Sequence, residues 1–324
     1  MPALVERART GDARSVARLI SLVEDASPLL REVMAGLVPY SGAAAGTGAH
    51  VVGITGSPGV GKSTSTSALV GALRQQGKRV GVLAVDPSSP FSGGALLGDR
   101  VRMQDHALDP DVYIRSMASR GHLGGLSWAA PQAIRVLDAA GCDVILVETV
   151  GVGQSEVEIA AMADTTLVLL APGMGDGIQA AKAGILEIGD LYVINKADRD
   201  GADQVRRELR SMLGLAERRP GAWRPEIVKT VASKGDGLED LVAAIERHWQ
   251  HLNESGELQQ RRMSRSRDEI EAIAVTALRE QWRGVHENAA LDELAAEVVG
   301  GRTDPYAAAD LLLASLSAEP PEVR

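Results

Sequence analysis

The stretch Gly56-Ser57-Pro58-Gly59-Val60-Gly61-Lys62-Ser63 spells Gly-x-x-x-x-Gly-Lys-Ser and restricts the fold of this chain more than any other segment. The apolar run Val51-Val52-Gly53-Ile54-Thr55 leads into it, and the residues from Ser63 onward have helical character. Strand, glycine-rich loop and helix in that order form a phosphate-binding loop. The glycines allow a tight turn that aims successive amides inward, at a helix N-terminus whose dipole already favours anions. Residues Gly56 to Thr64 are therefore the candidate phosphate-binding residues. Lys62 is expected to reach the β and γ phosphates, and Ser63 to place its hydroxyl on magnesium.

Around this loop the chain alternates short apolar runs with helical spacings. Val80 to Val85, Val112 to Arg115, Val144 to Val147, Thr165 to Leu170, Leu191 to Ile194 and Ile227 to Val231 read as buried strands. Val205 to Leu213 and Leu238 to Trp249 read as helices between or after them. The pattern predicts an α/β fold, a doubly wound and mainly parallel sheet, whose ligands bind at the carboxyl ends of the strands. Residues 1–48 read as a helical extension with Ser27 as an N-cap, followed by the small, flexible linker Ser41 to Gly48. Residues 49–253 form the expected nucleotide domain. Residues 254–324 form a helical extension in which Ile270, Ile273, Ala277, Leu278 and Trp282 fall at helical spacing; it either packs on its own sheet or serves as a dimer arm.

The chemistry-bearing residues fall just after the apolar runs. Asn195-Lys196-Ala197-Asp198 follows Leu191 to Ile194. A carboxylate at Asp198 accepts the ring N–H and the exocyclic amine of guanine, a donor pair that adenine lacks, while Lys196 lies along the base and Asn195 braces the loop. The expected nucleotides are thus GTP and GDP. Glu148-Thr149-Val150-Gly151 ends the run Val144 to Val147, where switch GTPases carry Asp-x-x-Gly; the longer Glu148 still reaches a magnesium shell, and the Gly151 amide faces the γ phosphate. Asp86 and Asp99 flank a glycine-rich segment and are candidates to complete the cation site. Gln154 either orients the attacking water or shapes its loop. Asp176, Gln179 and Lys182 share a helix face, which is either a solvated surface or a further nucleotide-sensing segment in which Lys182 acts in catalysis.

Composition excludes several classes. A net charge of -9, a pI near 5.3 and only 3% aromatic residues argue against nucleic acid as a partner. Cys142 is the only cysteine, so a reducing compartment suits the chain. Met1 to Arg7 lacks the apolar core of a signal peptide and no run is long enough to span a bilayer, so a cytoplasmic protein without a membrane anchor is expected.

Taken together, the phosphate loop with Ala84 to Ser89, Gly98 to Met103, Glu148 to Glu156 and Asn195 to Asp198 resembles the MeaB/ArgK family, the G-protein chaperones of methylmalonyl-CoA mutase, within the SIMIBI class of P-loop GTPases. The resemblance implies a homodimeric GTPase that assists an adenosylcobalamin-dependent mutase by gating cofactor delivery and by protecting or reactivating the enzyme. It also implies a magnesium site of Ser63, Asp86, Asp99 and Glu148, and a partner-sensing switch around Asp176 to Lys182. Arg100 stands where the family often has Lys. The loop that reads Ser-Ala beside the guanine in the family is Val231-Ala232-Ser233-Lys234-Gly235 here, with Ala232 and Ser233 as the base-contact candidates. Two other functions compete: a metal-insertion GTPase for a nickel enzyme, which would favour His-rich tracts or Cys pairs, and a small-molecule kinase, which has no need of a guanine-reading loop.

Overall fold

The computed structural model describes residues 1–25, 27–41, 48–86, 106, 108–118, 129–149, 155–173, 187–215, 221–286 and 289–318. Seven strands, β1 (His50–Gly56), β2 (Val80–Asp86), β3 (Val112–Ala118), β4 (Val144–Thr149), β5 (Thr165–Leu170), β6 (Leu191–Ile194) and β7 (Glu226–Lys229), form one sheet in the order β3-β2-β4-β1-β5-β6-β7. Every pairing among them is parallel. The expected doubly wound α/β architecture is therefore present, with the phosphate-loop strand β1 at its centre. The edge strand β7 ends at Lys229, earlier than the apolar run suggests, because Val231 is drawn into a turn bridged to Asp236.

The strands bury both faces, and their residues alternate between two cores. Val51, Leu83, Val85, Ile145 and Val147 face one way, against helices α1 (Pro2–Arg9), α2 (Ala13–Glu24), α3 (Leu30–Leu37), α5 (Ala129–Ala139) and α6 (Ser155–Met162). Val52, Ile54, Val82 and Leu146 face the other way, against α4 (Lys62–Gln75) and α8 (Leu238–Ser255). A smaller cluster joins β6 to α7 (Ala202–Leu215). The N-terminal helices thus share a core with the sheet, and polar ties reinforce the contact: Arg115 of β3 pairs with Glu24 of α2, and the Tyr113 hydroxyl donates to the Gly11 carbonyl at 3.2 Å. Asp12 caps α2 by accepting from the Ser15 amide. Ser27 is not the N-cap of α3: that position is Leu29, and the Ser27 hydroxyl accepts from the Leu29 amide one step earlier.

Two compact units divide the chain, Met1–Arg261 and Arg262–Arg324. Helix α9 (Glu257–His286) begins in the first. In the second unit α10 (Ala289–Val299) and α11 (Pro305–Ala318) pack on each other, and Ala308 is buried. Ile270, Leu278 and Tyr306 are exposed there. Among the described residues no helix is long and apolar enough to cross a membrane.

At the amino ends of the central strands, opposite the phosphate loop, lies a buried polar web. Thr165 at the start of β5 sits 2.7 Å from His50 Nε2 and 2.7 Å from His248 Nδ1. Its hydroxyl has one proton, so it donates to one ring and accepts from the other. The far nitrogen of His248 lies 3.3 Å from Asp190 Oδ1, and Arg261 of α9 grips the same carboxylate through both oxygens, at 3.0 and 2.9 Å. Burial pushes the Asp190 carboxyl up, but the hydrogen bonds from His248 and Arg261 outweigh it and hold the group below the usual carboxylate range. Trp223 donates to the Asp190 carbonyl, and Trp249 stacks on His50. Helices α8 and α9 and, through the Thr166 amide, strand β5 therefore converge on one carboxylate. Because its folded value is depressed, Asp190 contributes stability that is complete above the unfolded carboxylate value, about pH 4, and is lost as pH falls through the folded value. Asp190→Asn is expected to destabilise the fold by about 3 kcal/mol at neutral pH. Urea unfolding from pH 7 down to pH 3 checks this: the gap between the two proteins should begin to narrow as pH falls below about 4, and a gap independent of pH would contradict the charge-based account.

Candidate nucleotide site

The carboxyl ends of β1, β4 and β6 converge on the phosphate loop. Lys62 and Ser63 open α4 and are buried, whereas Thr64 faces outward. Gly61, just before them, has φ +97°, and a Cβ there would lie 2.6 Å from Asn195 Nδ2, so only glycine suits the position. The Lys62 ammonium donates to the Gly56 carbonyl at 2.5 Å and lies 3.4 Å from the Ser57 carbonyl, holding its charge against the loop it follows.

Across this loop, β4 delivers Glu148. The strand buries both faces, so a carboxylate at its end has to find a donor. Ser63 is that donor, its hydroxyl reaching Glu148 Oε1 at 2.7 Å, with Glu148 only 1% exposed. Hydroxyl and carboxylate thus stand side by side at the mouth of the loop. Two hard oxygen donors in contact suit a small divalent cation, which takes one or two protein oxygens and completes its shell with water and phosphate. Among the described residues no group of three His, Cys, Asp or Glu side chains gathers into a metal cage.

The third component follows β6. Asn195 is 3% exposed and makes three side-chain hydrogen bonds: its Nδ2 donates to the Val60 carbonyl at 2.9 Å, while its Oδ1 accepts from the Ala232 amide at 3.1 Å and the Thr230 hydroxyl at 3.3 Å. One side chain therefore joins the phosphate loop, the β6 loop and the turn after β7. Lys196, with φ +56°, is the one non-glycine residue of positive φ among the described residues. Such a conformation persists only where its surroundings enforce it. Here the Lys196 ammonium donates to the Gly59 carbonyl at 2.6 Å, which lays the side chain over the space between the two loops. Asp198 is 41% exposed at its side chain, and Oδ2 accepts from Lys234 at 2.9 Å. The Lys234 ammonium beside it holds the Asp198 carboxyl below the ordinary range.

Of the residues singled out in the sequence, Gly56 to Thr64, Glu148, Asn195, Lys196, Asp198, Ala232 and Ser233 lie at this end of the sheet, on the loops or on the strand and helix ends beside them. Asp86 closes β2, in register with Ala118, while its side chain lies outside the described residues. Asp99, Gly151, Gln154, Asp176, Gln179 and Lys182 also lie outside them. Spacing alone gave no sign of Thr230 and Lys234. Both reach the site through a turn whose path depends on β7 pairing with β6, a long-range contact that leaves no local pattern.

Residues 16–287 match the family model of the methylmalonyl-CoA mutase-associated GTPase MeaB. The GTPase ArgK of Escherichia coli K12 is 39% identical over 269 residues, covering 81% of this chain and 80% of that protein. The mouse mitochondrial methylmalonic aciduria type A homolog is 39% identical over 268 residues, covering 81% of this chain and 64% of its own length. A solved LAO/AO transport system kinase superposes with a TM-score of 0.72 at 28% identity, covering 98% of this chain and 97% of that one. A P-loop GTPase fold with Gly-x-x-x-x-Gly-Lys-Ser and Asn-Lys-x-Asp on adjacent loops, matched over most of its length, places this GTPase in the MeaB family.

Proposed function

We propose that this GTPase uses its hydrolytic cycle to assist an adenosylcobalamin-dependent methylmalonyl-CoA mutase, governing cofactor loading and protecting or reactivating that enzyme. The buried Ser63–Glu148 hydrogen bond carries the reading, because it joins the phosphate loop to the end of β4. In this reading the two oxygens hold Mg2+ together with Asp86 and Asp99. When bound, the ion neutralises charge on the β and γ phosphates. Ser63 and Glu148, which are bonded to each other here, would both serve as its ligands. Lys62 turns from the Gly56 carbonyl to the phosphates, and the amides of Gly56 to Thr64 cradle them. The Gly151 amide faces the γ phosphate, Gln154 orients the water that attacks it, and Lys182 responds to the partner.

Asn195, Lys196, Asp198, Ala232 and Ser233 read the guanine. Asp198 is open to solvent on one side, and Lys196 spans from the base loop to Gly59, where a purine would lie beneath its stem. The family description and the relationship to the methylmalonic aciduria type A homolog support a mutase as the partner. A homodimer accounts for the apolar side chains of Ile270, Leu278 and Tyr306, each more than half exposed in the C-terminal unit. The chain acts in the cytoplasm, where the mutase and the nucleotide pool are both available to it.

Single-turnover GTP hydrolysis, with ATP as control, measured alone and with a purified adenosylcobalamin-dependent mutase, tests the proposal. The mutase should accelerate hydrolysis of GTP; a mutase that neither binds nor changes the rate would remove the assigned partner while leaving the GTPase intact. Two substitutions probe the site. Asp198→Asn should lower GTP affinity by about 100-fold and favour xanthosine triphosphate, since one guanine-accepting oxygen becomes a donor. Gly61→Ala should abolish tight triphosphate binding, because the added methyl group meets Asn195; titration with a fluorescent GTP analogue would show either result, and retained affinity would mean that the loop is misread.

A further inference from the structure

The contact between Lys234 and Asp198 has no counterpart in the Asn-Lys-x-Asp logic of the base loop, yet it engages the carboxylate on which that logic depends. Lys234 Nζ lies 2.9 Å from Asp198 Oδ2. Its backbone is fixed by the turn after β7: Val231 N donates to Asp236 O at 3.0 Å, and Lys234 N donates to Val231 O at 2.8 Å. The turn admits little alternative, because Gly237 has φ +74° and a Cβ there would lie 2.1 Å from the Lys229 carbonyl oxygen. The same turn supplies the Ala232 amide to Asn195, and Thr230 bonds both ways across to the β6 loop, its amide donating to Ile194 and its carbonyl accepting from Ala197. The ammonium is therefore mounted on a segment already tied to the base loop at three points.

Both partners remain open, Lys234 at 60% and Asp198 at 41% side-chain exposure, so a purine edge can reach the carboxylate without displacing the lysine. Each carboxylate oxygen has two acceptor sites, so Oδ2 can serve the ammonium and a base donor together. Free rotation of an aspartate side chain would otherwise have to be lost on binding. We propose that Lys234 is a specificity-determining positioning residue of the base site, holding the Asp198 carboxylate in the plane where both of its oxygens face the paired donors of guanine. This rests on the reading of Asp198 as the guanine acceptor. The role belongs to positioning, because Lys234 engages the carboxylate and not the base.

The test compares GDP with IDP, which keeps the ring N–H of guanine but lacks the 2-amino group, so the ratio of their affinities reports how well the second oxygen is placed. Fluorescent-nucleotide displacement on the full chain should give a three- to tenfold loss of GDP affinity for Lys234→Met, a smaller loss for IDP, and recovery with Lys234→Arg. In an Asp198→Asn background the added Lys234→Met change should have less than a twofold effect. The difference between wild type and Lys234→Met should also shrink in about 1 M salt, where exposed charges are screened within about 3 Å. An unchanged or widened GDP to IDP ratio in Lys234→Met overturns the proposal and leaves the base site standing. A wild-type chain that fails to prefer GDP over ADP removes the base-site reading and this proposal with it.

Discussion

The carboxamide of Asn195 is the interaction on which the nucleotide end of the molecule depends. It is buried at the end of β6, and its donors and acceptors are directed to the phosphate loop, the β7 turn and Thr230. A buried amide with three such bonds, two to its oxygen and one from its nitrogen, holds its neighbours in one arrangement, because any shift leaves a polar atom unpaired in a place that water reaches poorly. The spacing between the phosphate loop and the base loop is therefore set by a rigid side chain rather than by the loops themselves. Gly61, against which that side chain packs, is glycine for the same reason.

The amino ends of the strands are held by a different device. There the Asp190 carboxylate collects Arg261, His248 and, through its backbone, Trp223, so that β6 and the first turn of α9 are fixed to each other by charge. Between the two ends run strands whose alternate side chains enter two separate cores. Apolar burial sets the strands in their places, and the polar contacts at either end set their register along the sheet. The nucleotide end stays partly open. Thr64, Asp198 and Lys234 are exposed, whereas Glu148 and Asn195, whose task is to hold geometry, are not.

Some of this was legible in the sequence and some was not. The phosphate loop, the strand runs and Asn195 to Asp198 are local patterns, in which a few neighbouring residues determine backbone shape and chemistry together. They fell where the sequence placed them, and the helices Val205 to Leu213 and Leu238 to Trp249 lie within longer helices that begin or continue beyond them. Ser27 misleads as a cap because serine serves many turn geometries, and the choice among them is made by how α3 packs. The apolar run overstates β7 because Val231 is apolar for its place in a turn rather than in a strand.

The sequence by itself determined the fold class, the phosphate loop and the place of the Asn-Lys-x-Asp loop after β6, since each is written in residues that are close in the chain and whose types permit few alternatives. Only the tertiary structure decided that Ser63 bonds to Glu148, that Asn195 joins three loops, that Lys234 reaches Asp198 and that Arg261 closes on Asp190. These pairs lie between 36 and 135 residues apart in the chain. Their geometry follows from strand order and helix packing, which a one-dimensional pattern does not contain, because the same residue types at the same spacing would meet other partners in a sheet of different order.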